Sequence, residues 1–216
     1  MTEFTLNEWY PCHLGEGIAA GLPALLIRFA GCNLACRYCD TKYACTESGA
    51  ARTVDEMLVE VEAVRLPRVL LTGGEPLLQR QAVQELAAGC RERNVAVVLE
   101  TNGTLPIAGL SDWIEKVVDV KVPGAGAGLP FLNENVAHLG PLDQLKFVLT
   151  DRRDYEFARG FIRKNESALN PERVLFSTVW QHLKPATLSS WLLADSLPVR
   201  FHIQIHKAVW GNQRGV

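Results

Sequence analysis

The chain has 216 residues, 48% of them hydrophobic and 21% charged, with a net charge of −2. That length suits one domain of ~100–200 residues, so 1–216 is read as a single domain, and near neutrality gives no electrostatic case for nucleic acid or an anionic membrane. Six cysteines are too few for a disulfide scaffold at this length, the acidic N-terminus lacks a signal region, and no apolar run approaches the ~18 residues of a membrane span, so the expectation is a cytoplasmic protein.

In chain order, Phe4 to Glu8 alternates and Gly15-Glu16-Gly17 marks a turn. Ala24 to Phe29 (ALLIRF) reads as a buried strand broken only by Arg28. A charge inside such a run either ends the strand or points into a polar cavity. Thr53-Val54-Asp55-Glu56 fits a capping box and predicts a helix to about Val64. Arg68 to Thr72 is the second predicted strand, and a helix follows over Leu77 to Arg93. Val95 to Glu100 is the third strand, Ser111 caps a short helix, and Val117 to Lys121 is the fourth strand. A flexible glycine loop spans 124–128. Gln144 to Thr150 and Arg173 to Ser177 are further strands, separated by a helix over Asp151 to Lys164. Pro185 to Ala194 is a helix with proline in its first turn. Val199 to His206 alternates, which predicts a late strand with Arg200, His202, Gln204 and His206 on one face.

Strands alternating with helices argue for an α/β fold with a parallel sheet and right-handed crossovers. A full eight-unit barrel takes ~250 residues, so the expected fold is an incomplete, open parallel β/α barrel of about six core strands with fewer helices.

The densest chemistry lies in Gly31 to Tyr43, GCNLACRYCDTKY. Cys32, Cys36 and Cys39 are spaced C-x3-C-x2-C, Tyr38 precedes the third, and Asp40-Thr41 follows it. A loop this short must bring its thiolates to one point. Thiolates are soft ligands, suited to zinc or an iron–sulfur cluster. A closed zinc site takes four ligands, and an electron-carrying cluster usually takes four cysteines. Three ligands on a four-iron cluster leave one iron open to a small molecule. The loop resembles the cluster loop of radical S-adenosylmethionine enzymes. Gly73-Gly74-Glu75-Pro76, at the end of the next strand, lets backbone approach a ligand closely. It resembles the GGE motif of the same enzymes.

Within that superfamily four stretches resemble the 7-carboxy-7-deazaguanine synthase family. They are Gly15-Glu16-Gly17, Arg28-Phe29 ahead of Gly31-Cys32-Asn33, Cys39-Asp40-Thr41, and Gln204-Ile205-His206-Lys207. The resemblance implies a lyase of queuosine biosynthesis. It would contract 6-carboxy-5,6,7,8-tetrahydropterin to 7-carboxy-7-deazaguanine with loss of ammonia, regenerating S-adenosyl-L-methionine. It also implies one 4Fe-4S cluster per chain, Mg2+, an external one-electron reductant such as a flavodoxin, a homodimer, and no nucleic-acid or membrane partner.

Carried over residue by residue, Cys32, Cys36 and Cys39 would ligate the cluster and Thr41 the magnesium ion. Tyr38, Gly73, Gly74, Glu75, Asp119, Val120, Lys121 and Ser177 would face S-adenosylmethionine. His13, Leu14, Gly15, Glu16, Arg28, Thr72, Gln204 and His206 would face the pterin. No classical acid or base is implied, since the adenosyl radical performs the chemistry. The family often has Gln where this chain has Leu14.

Cys12, Cys45 and Cys90 read as packing residues, and His138, His182 and His202 as surface or packing residues. Glu100-Thr101-Asn102 is either a strand end or part of the site. Two other functions fit parts of the pattern. One is a glycyl-radical-enzyme activase, which the Cys-Asp-Thr continuation opposes. The other is a non-catalytic iron–sulfur or zinc module, which leaves Gly73-Gly74-Glu75 without a purpose.

Overall fold

The computed structural model describes residues 2–216. In chain order it contains β1 (Glu3–His13), β2 (Pro23–Phe29), α1 (Lys42–Thr46), β3 (Ala50–Thr53), α2 (Val54–Val64), β4 (Arg68–Gly73) and α3 (Arg80–Glu92). Then come β5 (Ala96–Thr101), β6 (Glu115–Asp119), β7 (Gln144–Leu149), α4 (Arg152–Lys164), β8 (Val174–Thr178), α5 (Pro185–Ala194), β9 (Arg200–Phe201) and α6 (Ile205–Trp210). The strands form one open sheet in the order β3-β1-β2-β4-β5-β6-β7-β8-β9. Every neighbouring pair from β2 to β9 is parallel. The expected incomplete β/α barrel is therefore present.

Two antiparallel strands extend it. β1 runs to His13, well past the predicted alternating piece, because it forms a hairpin with β2. The turn is closed by Leu14 N–H to Leu22 O at 2.9 Å and Gly21 N–H to Leu14 O at 2.8 Å. β3 then pairs with the start of β1. Ladder hydrogen bonds hold these strands, so they need no alternating sequence pattern.

Side chains alternate across the sheet. One face carries Ile27, Leu71, Leu99, Phe147 and Phe176 and buries them against Val83, Leu86, Tyr155 and Leu188 of the helices. The inner face begins apolar, with Leu26, Leu70, Val98 and Val117 over Leu14. Two residues further along the same strands it turns polar, with Arg28, Thr72, Glu100 and Asp119. The apolar layer is the barrel's floor, and the polar layer is the wall of what stands above it.

Several predicted elements come out differently. The capping box is present, with Glu56 N–H on Thr53 Oγ1 at 3.2 Å and Thr53 N–H on Glu56 Oε2 at 2.9 Å. The predicted helix from Leu77 is a 3₁₀ turn, Pro76–Gln79, followed by α3. No helix starts at Ser111. There the chain makes a single turn, Ile114 N–H to Ser111 O at 3.1 Å. Buried Ile107, Leu110 and Ile114 fill the core at this connection, and Asn135 organises the strand-to-strand link. Its Oδ1 accepts from Ile107 N–H at 2.9 Å, and its Nδ2 donates to Gly103 O at 3.1 Å and Leu105 O at 2.9 Å. The late strand is also shorter than predicted. Only Arg200–Phe201 is extended, after which Ile205 N–H is captured by Gly15 O at 2.9 Å and α6 begins. Gln204 and His206 thus share no strand face with Arg200 and His202. The glycine loop 124–128 is braced rather than flexible, because Arg37 N–H donates to Ala125 O at 2.8 Å and Ala35 N–H to Ala127 O at 3.4 Å.

Asn135 satisfies three backbone groups in a link that has no helix of its own. Asn135→Ala leaves them unpaired and is expected to cost about 3 kcal/mol. The check is a lowered urea midpoint at unchanged slope. A midpoint equal to that of the parent would show that other groups hold this link.

Candidate active site

A cavity of about 550 Å³ opens at the carboxyl ends of the parallel strands, where α/β barrels place their sites. Cys32, Cys36 and Cys39 all line it. The backbone of their loop is held from three sides. Gly31 N–H donates to Ala44 O at 2.7 Å, and the 124–128 loop braces the middle. Asn102 Nδ2 donates to Asn33 Oδ1 at 2.9 Å and approaches Cys32 Sγ at 3.9 Å. The Tyr38 hydroxyl donates to Val148 O at 3.1 Å, which lays its ring along the cavity wall. Thr41 Oγ1 stands 3.7 Å from Cys39 Sγ.

Gly73 and Gly74 lie against this loop. A Cβ on Gly73, whose φ is +150°, would meet Phe29 O at 2.3 Å, and one on Gly74 would meet Gly31 O at 2.1 Å. Only glycine permits that approach. Glu75 is turned away from the cavity. Its carboxylate accepts from Leu77 N–H at 3.0 Å, Thr101 Oγ1 at 2.8 Å and Asn102 N–H at 2.7 Å. It therefore ties the glycine turn to the end of β5 and, through Asn102, to the cysteine loop. Its expected contact with a cofactor is not what the side chain makes.

The rest of the wall is charged. Glu16, from the β1–β2 turn, pairs with Lys146 of β7 and accepts from Gln204. Lys146 also stands 3.3 Å from Asp119 of β6, which pairs with Lys121 at 3.0 Å. Asp119 Oδ1 is buried without a hydrogen-bond partner. Arg28 gives its Nε to Glu8 at 2.8 Å and one terminal nitrogen to the Tyr10 hydroxyl at 3.4 Å. Thr72 donates to Glu100 at 2.8 Å. At the far rim Lys207 pairs with Asp40 at 3.0 Å. His206 packs on Gly15, where a Cβ would meet Nδ1 at 2.0 Å. His13 lies on the same rim.

These surroundings set the protonation states. Burial pushes the Glu16 carboxyl up, but the charges of Lys146 and His206, with the hydrogen bonds from Lys146 and Gln204, together outweigh it and hold the carboxyl below the ordinary carboxylate range. Burial dominates at Glu100 and raises it. Lys146 is raised, because Glu16, Asp119 and Glu100 together overcome its desolvation. The wall thus holds one carboxylate firmly ionised beside one that resists ionisation.

Three further expected ligand contacts are displaced. The Leu14 side chain lies in the floor beneath the cavity, packed with Leu26 and Leu70. Val120 points into the outer core. Ser177 is fully buried and off the cavity wall, its hydroxyl unpartnered. Cys90 is buried in the helix layer, as a packing residue should be. Cys12 lines the cavity, and Cys45 lies close to Cys32 and Cys39. Lys146 and Glu8 carry much of the site without having been singled out. The signal for Lys146 is the one that marked Arg28, a lone charge inside an apolar strand, QLKFVL.

The donor set fits an iron–sulfur cluster with an amino-acid-bearing ligand beside it. Three soft thiols meet one cavity, a glycine backbone borders them, and a buried acceptor on Asp119 lacks a donor.

Comparison with known proteins gives the same direction. The Radical SAM superfamily profile matches residues 26–143. A 7-carboxy-7-deazaguanine synthase from Chlorobaculum tepidum is 38% identical, covering 100% of this chain and 99% of the relative. One from Koribacter versatilis is 34% identical, covering 95% of this chain and 96% of the relative. The crystal structure of QueE from Escherichia coli shares the fold at a TM-score of 0.73 with 20% identity, covering 93% of this chain and 94% of that one.

The two wall glutamates make opposite predictions. The lowered Glu16 carboxyl contributes stability that is full above the unfolded value and lost as pH falls through the folded one. The raised Glu100 carboxyl costs stability as pH rises through the ordinary range. Glu16→Gln should lose about 2–3 kcal/mol at pH 7, less than a lone buried pair because Asp119 still faces Lys146, with a smaller loss at pH 4. Glu100→Gln should be neutral or stabilising at pH 7. Urea midpoints at both pH values check this, and equal losses for the two variants would contradict it.

Proposed function

This chain belongs to the 7-carboxy-7-deazaguanine synthase family of the Radical SAM superfamily, and from that premise we propose that it contracts 6-carboxy-5,6,7,8-tetrahydropterin to 7-carboxy-7-deazaguanine with release of ammonia. The observation that carries this reading is one cavity with two chemically distinct ends. The cysteine loop and glycine turn form one end, and Arg28, Glu16, Thr72 and Glu100 form the other.

Family membership brings a 4Fe-4S cluster and S-adenosylmethionine. When bound, they supply a 5′-deoxyadenosyl radical able to take hydrogen from an unactivated carbon. Cys32, Cys36 and Cys39 would hold the cluster. The backbone at Gly73-Gly74 lies open beside them for the amino and carboxylate groups of the cofactor. Asp119, with Lys121, offers an acceptor and a donor to its sugar and amino groups, and the Tyr38 ring gives a flat wall. Arg28 spends its Nε on Glu8 and keeps terminal N–H groups for a substrate carboxylate. Glu16, held ionised by Lys146, can accept from the guanidine-like edge of the pterin. His13, Gly15, Gln204 and His206 border the same end. Thr41 places a hard oxygen beside the last cysteine, suited to a magnesium ion shared with the substrate carboxylate. Positioning of this kind decides which single hydrogen the radical meets.

The reductant is an external one-electron donor such as a flavodoxin. The working unit is a homodimer of single-domain chains in the cytoplasm.

Cys32→Ala, Cys36→Ala and Cys39→Ala should each abolish S-adenosylmethionine cleavage and lower iron content after anaerobic reconstitution, whereas Cys45→Ala should retain the cluster. Iron and sulfide analysis with single-turnover cleavage assays makes the comparison. A Cys45 variant as damaged as the other three would reassign the ligands.

The reaction itself is tested by substrate deuterated at the carbon bearing the carboxylate. The label should appear in recovered S-adenosylmethionine, with carboxy-deazaguanine and ammonia as products, all read by mass spectrometry. Accumulating 5′-deoxyadenosine with no contracted ring would sink the substrate assignment and favour activation of a protein partner.

A further inference from the structure

The segment after α6 takes no part in the chemistry above, yet it is bound to the site chiefly by one side chain. At Gly211 the backbone turns with φ +62° and open space around its α-carbon, a conformation easy for glycine alone. Residues 212–216 then pass along the mouth of the cavity and form part of its lining. Their attachments are few. Lys207 Nζ donates to Asn212 Oδ1 at 3.4 Å, and Gln213 N–H donates to Trp210 O at 3.2 Å.

Arg214 is the exception. Its Nη1 and Nη2 form a two-pronged pair with Glu47 at 2.9 Å and 3.0 Å, and its Nε donates to Glu8 at 2.9 Å. Its guanidinium also lies 3.8 Å from the centre of the Tyr43 ring. Glu8 uses its other oxygen for Arg28 Nε at 2.8 Å and the Tyr43 hydroxyl at 2.9 Å. One carboxylate therefore joins a residue at the end of the chain to the guanidinium that faces the substrate end of the cavity. The same Tyr43 ring also has Arg28 at 5.8 Å. The Arg214–Glu47 pair is half-exposed while Glu8 is largely shielded, so solvent weakens the outer link, which suits a fastening that can open.

We infer that Arg214 is a latch that holds residues 212–216 as a strap across the cavity mouth, hinged at Gly211, and that through Glu8 it keeps Arg28 oriented toward a carboxylated substrate. Arg214 is a positioning residue in this account. The account rests on the proposed role of Arg28.

The test uses the reconstituted holoenzyme and three variants, Arg214→Ala, Arg214→Lys and Glu47→Gln. Millisecond-quench hydrogen exchange reads the strap, steady-state turnover reads the cavity, and the cluster spectrum with S-adenosylmethionine reads cofactor binding. Arg214→Ala should speed exchange across 212–216 and raise KM for the carboxypterin about tenfold with kcat within about twofold, the signature of lost ground-state positioning. Cofactor binding should be unchanged. Arg214→Lys should rescue little, since a single ammonium cannot span Glu8 and Glu47 together. Glu47→Gln should loosen the strap with a smaller rise in KM, because the Glu8 link survives. Strap exchange in Arg214→Ala equal to the parent's would overturn the latch. A loosened strap with unchanged KM would overturn its coupling to the cavity. If the parent cleaves S-adenosylmethionine but never converts the carboxypterin, the substrate reading fails separately, and strap exchange alone decides the latch.

Discussion

The site is organised by one buried ammonium. Lys146 of β7 reaches Glu16 from the first hairpin turn and Asp119 from β6, and Glu16 in turn receives Gln204 from the chain's last connection. An open sheet has no strand ladder to close it, so contacts across its mouth come from side chains and from isolated backbone bonds such as Ile205 N–H to Gly15 O at 2.9 Å. A charge buried this deeply is costly unless it is paired and hydrogen-bonded. That cost fixes the geometry, because any arrangement that separates Lys146 from its carboxylates strands a charge among Leu26, Leu70, Val98 and Val117. The polar wall above the apolar floor is thus both the closure of the fold and the place where a polar ligand finds fixed partners.

The cysteine loop is held by a separate device. Glu75 is fully buried, yet it meets no cation at contact distance. Burial raises its carboxyl, and three donors, from Leu77, Thr101 and Asn102, satisfy it. Asn102 then carries the constraint to Asn33 in the cysteine loop. The glycine turn, the end of β5 and the cysteine loop are tied together for that reason. A radical reaction needs such rigidity, since a misplacement of about 1 Å can cost roughly a hundredfold in rate. The charged end, by contrast, is bordered by the hinged segment after Gly211.

Much of the fold was legible before any coordinates. Short apolar strands separated by capped helices specify a parallel sheet, and Arg28 inside ALLIRF marked either a strand end or a polar cavity, of which the structure shows the cavity. The errors share a cause. Periodicity reports which side chains could be buried together, not where the backbone finds its hydrogen bonds. The alternation in VRFHIQIH was overridden when Gly15 O captured Ile205 N–H. The helix expected at Ser111 was replaced by a link that Asn135 satisfies from 28 to 32 residues away in sequence, through Ile107, Leu105 and Gly103. β1 grew because its pairing with β2 is a matter of register, not of pattern.

The sequence by itself determined the cysteine loop and the glycine turn, because each is a local arrangement in which spacing forces side chains or backbone to one place, and the resemblance of its short stretches pointed to the family. Only the tertiary structure decided what the charged residues do. Glu75 became a staple, Leu14 went into the floor, Lys146 became the hub, and Arg214 met Glu8 from the opposite end of the chain. The physical reason is that the partner of a buried charge is chosen by which strands the barrel brings side by side, and those partners lie far apart in the sequence.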